Sequence, residues 1–142
     1  MGTKLFEKAS QIIKTNGGIN FGDAAFGVVD ENGYPSVSTI SLIKPENISE
    51  LYFSTNIGGN KEKRIQKNNK ASICCRFDFN NLTLVGNAEV LTDQETKNKY
   101  WEDRFAQMGF SGKNDPNWCV IKFVTKRVSL FIDFESEVLT IE

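Results

Sequence analysis

Ser54, Thr55 and Lys61 are the residues whose types and spacing can do chemistry together, and they lie within LYFSTNIGGNKEKRIQKNNKASICCRF, residues 51–77. A strand pattern there places Leu51, Phe53 and Thr55 on one face and Tyr52 and Ser54 on the other. The run Asn56-Ile57-Gly58-Gly59-Asn60 then has the Asn and Gly content of a loop that needs positive φ, and Asn60 reads as the N-cap of a short helix. That helix, from Lys61 to about Asn68, has one strong apolar anchor, Ile65, and is expected to lie across a sheet. A helix start prefers carboxylates because its free N–H groups carry partial positive charge. Lys61, Lys63 and Arg64 crowd this one, at about 0.3–1 kcal/mol each against preference. An anion reverses the sign: the Ser54 and Thr55 hydroxyls, loop N–H groups and the Lys61 ammonium can converge on a phosphate. The competing reading is a set of solvated lysines on an exposed helix. GGNKEKR lacks the spacing of a P-loop.

The elements that must position these groups are mostly strands. Residues 24–30 and 35–43 are β-type runs joined by Glu31-Asn32-Gly33-Tyr34, where Asn-Gly signals a hairpin. In the second run Val37, Thr39, Ser41 and Ile43 alternate with Ser36, Ser38, Ile40 and Leu42. Small hydroxyl residues in mid-strand either let a flat ligand approach the backbone or mark one wet face. Residues 71–77 form a strand with Cys74 and Cys75 on opposite faces, Asn80-Asn81 a turn or strand entry, and residues 82–91 a strand with Gly86 at a bulge or close approach.

Thr92 reads as the cap of a helix from Asp93 to about Met108, with Glu95 at the capping-box position and Tyr100, Trp101 and Phe105 as the buried stripe. Residues 109–117 form a loop expected to be a mobile segment or lid, followed by a pair of strands at 118–124 and 128–133 and a further one at 137–141. At the other end Leu5, Phe6, Ala9, Ile12 and Ile13 recur at helical spacing, so an amphipathic helix over 3–15, ended by Asn16-Gly17-Gly18, is expected to cover an open end of the sheet structure. Strands dominate and turn signals recur at close intervals. The fold class is therefore mainly β, a closed antiparallel barrel with covering helices.

Composition narrows the chemistry. The 142 residues, 39% hydrophobic and 25% charged, suit one soluble domain over 1–142. A net charge of −1 gives no general attraction to nucleic acid or anionic membrane, and the N-terminus has charges where a signal peptide needs apolar residues, so a cytoplasmic protein is expected. Cys74, Cys75 and Cys119 match neither a disulfide framework nor a zinc spacing and are expected as buried, reduced strand residues. The chain has no histidine, which removes Ser-His-Asp and Cys-His catalysis, histidine-ligated haem and most zinc or non-haem iron sites. No metal site is expected. If the protein is an enzyme, its chemistry sits on an organic cofactor.

The run FSTN, a Gly-containing loop, a Lys leading a basic helix, an Asn pair and a strand ending in Arg-Phe, with GYPSVSTISLI before and LTLVGNAEVLTD after, resembles the flavin-mononucleotide (FMN) corner of the pyridoxamine-phosphate-oxidase-like split-barrel flavoproteins. The resemblance covers residues 24–131 and is nearest the short general-stress-protein branch. It implies an antiparallel, Greek-key type FMN-binding split barrel with its core over 24–133 behind an N-terminal helix over 1–18. It also implies FMN as cofactor and a homodimer holding FMN between subunits. On this pattern the backbone of Val37, Ser38, Thr39 and Ile40 faces the flavin ring, and Ser54, Thr55, Asn60 and Lys61 surround the ribityl phosphate. Asn81 supplies an amide from the second subunit.

Two departures stand out. Asn60 replaces a second basic residue, with Lys63 or Arg64 near enough in sequence to supply charge, and Phe131 replaces a common tryptophan. The implied function is an FMN-dependent oxidoreductase of unknown substrate. The alternatives are a non-catalytic flavin-binding or flavin-buffering stress protein and, more remotely, a barrel that binds nucleic acid through Lys61, Lys63 and Arg64. Efficient oxidation of pyridoxamine phosphate is not expected. The oxidases use an arginine and a histidine in a C-terminal segment, whereas here the acidic Asp133, Glu135 and Glu137 follow Phe131.

Overall fold

Phe26, Phe53 and Phe123, on three different strands, meet edge to face at ring centroid separations of 5.1 and 6.3 Å, and the sheet curls around them. The computed structural model describes residues 4–16 and 23–141. Its elements are α1 (Lys4–Asn16), β1 (Asp23–Val29), β2 (Pro35–Leu42), β3 (Glu50–Asn56), α2 (Asn60–Lys67), β4 (Lys70–Phe77), β5 (Asn80–Leu91), α3 (Gln94–Tyr100), a 3-10 helix (Asp103–Met108), β6 (Trp118–Ile132) and β7 (Glu135–Thr140). Strand order is β3-β2-β1-β4-β5-β6-β7, and β3 also pairs with β6. Six antiparallel strands thus close into a barrel, with β7 outside the closure. Alternate residues such as Phe26, Val28, Ile73, Leu82, Leu84 and Leu130 fill the interior. Leu5, Ala9 and Ile13 of α1 pack into the same core, as its amphipathic spacing predicts. Gly17 and Gly18, read as its stop, lie outside the described residues.

The expected strand pair at 118–124 and 128–133 is instead one 15-residue strand, β6. No turn breaks it because it changes partners at a bulge. Gly86 faces Thr125 while Val85 faces Arg127, which leaves Lys126 as the extra residue. Before the bulge β6 pairs with β3, and beyond it with β7. Gly86 is needed there, since a Cβ on it would stand 2.0 Å from the Val124 carbonyl oxygen.

The long helix expected from Asp93 to Met108 is also broken. Asp93, not Thr92, is its cap, accepting from the Thr96 N–H at 3.0 Å. The chain leaves helical geometry at Trp101 and resumes as the 3-10 turn. Arg104 holds the break, donating to Glu102 at 2.5 Å and to the Leu42 carbonyl at 2.6 Å, while Glu102 accepts from the Lys44 N–H at 3.1 Å. Trp101 and Phe105 are thereby both set against Trp118, at 5.1 and 5.9 Å.

Cys75 and Cys119 are buried, but Cys74 is exposed, because among the described residues no layer covers the barrel face outside β4. Among the described residues no helix is long and apolar enough to cross a membrane.

Candidate functional site

β2 and β3 pair only at Ser41 with Ser54 and at Leu42 with Phe53. Beyond those two steps β2 continues along β1 while β3 follows β6, and a cleft of about 510 Å³ opens between them. Thr39, Ile40 and Ser41 line it from β2, Ser54, Thr55 and Asn56 from β3, and Gly59, Asn60 and Lys61 from the loop and start of α2. Asp23, Met108 and Phe110 complete the wall.

The corner between β3 and α2 is built by local chemistry. Gly58 takes φ +85°, a value that favours glycine, and Gly59 packs over the Asn56 side chain, where a Cβ would stand 3.1 Å from Nδ2. Gly59 rather than Asn60 is the N-cap, and no side chain caps the helix. Glu62, buried in the first turn, reaches back to accept from the Gly58 N–H at 2.7 Å. The helix start therefore already holds one carboxylate, and the anion argument rests on Lys61 itself and not on a turn of uncompensated cations.

Lys61 is half-buried at the cleft, with its ammonium donating to the Ser38 hydroxyl and lying 6.0 Å from the centre of the Phe26 ring. Burial, and secondarily the nearby Arg64 charge, lower its proton affinity below the ordinary lysine value. Among the described residues it has no ion-pair partner. Arg64 does not reach into the cleft. Its Nε and Nη2 bond the two Glu31 oxygens at 3.0 and 3.2 Å, and Nη1 bonds Ser36 Oγ at 3.2 Å. Lys63 lies with Arg64 and Glu31 along a separate cleft.

Of the residues singled out in the sequence, Thr39, Ile40, Ser54, Thr55, Asn60 and Lys61 come together here, and Ser38 joins through Lys61. Val37 lies on the outer sheet face, 66% exposed. Asn81 is also apart, on β5 opposite Arg76 and Phe131, where its amide donates to Thr83 Oγ1 at 3.1 Å and accepts from Cys74 Sγ at 3.4 Å. Asp23, Ser41, Met108 and Phe110 were not foreseen as site residues. Ser41 donates to Asp23 Oδ1 at 3.3 Å, and its alternation with Thr39 along the strand was the available signal. The 109–117 loop is tied down by its own Asp115, which is buried and accepts from the Ser111 and Asn117 N–H groups at 2.8 Å each. Those bonds hold its carboxyl below the usual range.

A family model described as pyridoxamine 5'-phosphate oxidase matches residues 24–131. The chain belongs to that family. No curated protein matches it in sequence. Among solved structures, it is similar to a Clostridium acetobutylicum protein related to general stress protein 26, of the pyridoxinephosphate oxidase family. Identity is 23% and TM-score 0.82, covering 99% of this chain and 97% of that one. It is also similar to general stress protein 26 of Bacillus anthracis, at 20% identity and TM-score 0.78 over 98% and 100%. A pyridoxamine 5'-phosphate oxidase-related, FMN-binding protein of Nostoc punctiforme matches at 16% and 0.64 over 87% and 88%. At these identities the likeness shows the fold, and the family's split barrel is the barrel described above.

Proposed function

We propose that this protein binds FMN and uses it as an oxidoreductase, with the flavin phosphate at Lys61, Ser54 and Thr55. The observation that carries the reading is Lys61: a cation half-withdrawn from water, with a hydroxyl as its sole hydrogen-bond partner among the described residues, beside two further hydroxyls in one cleft. An unpaired charge costs less when a mobile anion completes it. The cleft's volume falls within the roughly 300–1,000 Å³ usual for small-molecule sites. The donor set thus fits a phosphate monoester. Asn60 adds an amide where a second cation is absent, so binding rests on one ammonium and neutral donors.

Beside this pole β2 is open. Val37, Ser38 and Thr39 are all exposed although they point to alternate faces, which leaves this backbone able to take a flat ring. When bound, the flavin supplies hydride and one-electron chemistry. The protein's own part is to bind the phosphate, present the backbone of residues 37–40 to the ring and limit water with Met108 and Phe110. A second copy of the chain, meeting this one over the outer face that carries Val37, Cys74 and Asn81, is the partner we assign, with Asn81 serving the neighbour's site.

The purified protein tests this. Flavin absorption bands, affinity for FMN well above that for riboflavin and a dimer by light scattering are expected. A colourless protein that binds neither flavin ends the proposal. Reduction of the bound flavin by a nicotinamide donor, with reoxidation over many cycles, separates an oxidoreductase from a protein that only stores flavin.

A further inference from the structure

Ser54 sits at the seam between cleft and interior, 6% exposed and lining the cleft. Its Oγ accepts a hydrogen bond from the indole Nε1 of Trp118 at 2.8 Å. An indole N–H can only donate, whereas a hydroxyl has one proton and two lone pairs. The bond therefore occupies a lone pair of Ser54 and commits its proton elsewhere, and among the described residues no group accepts that proton. Trp118 has no freedom to release it. The ring is fully buried, 5.1 Å from Trp101 and 5.9 Å from Phe105, with the Lys97 ammonium 5.9 Å from its centre. Lys97 is itself anchored on the Asp115 carbonyl at 2.7 Å. The sheet register enforces the pairing: Trp118 lies opposite Asn56 and diagonal to Ser54, so both project to one side of β3 and β6.

We infer that Trp118 is a positioning residue that fills one lone pair of Ser54 and turns its hydroxyl proton toward the cleft, so that with the Lys61 ammonium this pole favours an oxyanion over ligand groups that must themselves donate. The inference deepens the phosphate-binding reading above and rests on it for the identity of the ligand. It also has a signature of its own. An anion that accepts from the Ser54 O–H polarises the hydroxyl oxygen and strengthens the Trp118 bond behind it.

The test uses this chain in ¹H–¹⁵N spectra, where its 2 tryptophans give one signal each and Trp101, bonded to Asp103 at 3.2 Å outside the cleft, serves as the internal control. Inorganic phosphate, then FMN, is expected to move the Trp118 indole proton downfield and leave Trp101 in place. Trp118→Phe keeps an aromatic ring but no donor. It is expected to weaken FMN about fivefold and leave riboflavin unchanged, as is Ser54→Ala. A Trp118 signal unmoved by both phosphate and FMN overturns the inference, as does a variant that weakens the two flavins equally, since the indole then only packs. If phosphate moves the Trp118 signal while the wild-type protein binds the two flavins equally or not at all, the flavin reading fails and the inference stands. Should Trp118→Phe not fold, the wild-type shift and the Ser54→Ala affinity ratio decide.

Discussion

Replacing Lys61 by methionine separates a binding cation from a structural one. The ammonium donates to Ser38 and has no carboxylate partner among the described residues, and burial together with the Arg64 charge lowers its proton affinity. In the free protein it is therefore a cost. Methionine keeps most of the stem's apolar contact, including that near Phe26, and removes the charge. Stability of the flavin-free protein is expected to hold or rise. Binding should respond oppositely: one charge-assisted contact to phosphate is worth about 1.5–3 kcal/mol, or roughly 10–150-fold in FMN affinity, with riboflavin unaffected.

The sign with pH follows from the same shift. Because the folded pKa lies below the ordinary 10.5, the unfolded chain binds more protons between the two values. The destabilisation is fully present below the folded pKa and is relieved as pH rises through that window, so wild-type stability gains there from this residue and Lys61→Met loses the gain. FMN affinity, which needs the ammonium, falls over the same alkaline range. Fluorescence titration with both flavins and urea unfolding of the flavin-free protein check each part. Unchanged FMN affinity in Lys61→Met, or a loss of more than about 1 kcal/mol in flavin-free stability, refutes the reasoning.

Gly86→Ala places a methyl 2.0 Å from a backbone carbonyl at the β5–β6 bulge, where no side chain can yield, and is expected to destabilise by about 3 kcal/mol or more in urea unfolding. Thiol titration at pH 8 should report one reactive group, Cys74, which is exposed on the single chain and slows where a second copy covers its face, because burial pushes the Cys75 and Cys119 thiols up to about 12, while denaturant releases all 3. Flavin-loaded protein is expected to show no sustained turnover of pyridoxamine phosphate. In the hairpin after β6 Asp133 is paired with Lys8 at 3.0 Å, Glu135 follows it, and no histidine is available to orient the substrate. Saturable formation of pyridoxal phosphate over many cycles contradicts that.

What was legible in the sequence was what nearest neighbours decide. The β-type run over 24–30, the Asn32-Gly33 turn and the helical spacing of Leu5, Ala9 and Ile13 all carry their reason within a few residues. The misreadings share a different origin. Arg64 was withdrawn from the cleft by Glu31, 33 positions earlier. The break at Trp101 depends on Arg104 finding the Leu42 carbonyl, 62 positions away.

Ser54 shows how such distant partners bear on function. Strand alternation assigns it an outward face, and on an isolated strand its hydroxyl is free to accept or donate. Trp118, 64 positions later, buries it and takes one lone pair. Residue type and spacing thus supplied a hydroxyl and an ammonium, but a tryptophan on another strand takes one of the hydroxyl's lone pairs and biases its proton toward the cleft. The cleft has the same kind of cause: β2 and β3 part after two paired residues because each is claimed by another neighbour, β1 for one and β6 for the other. A substitution on β1 or β6 that shifts either register is therefore expected to close or widen the site without touching a residue that lines it.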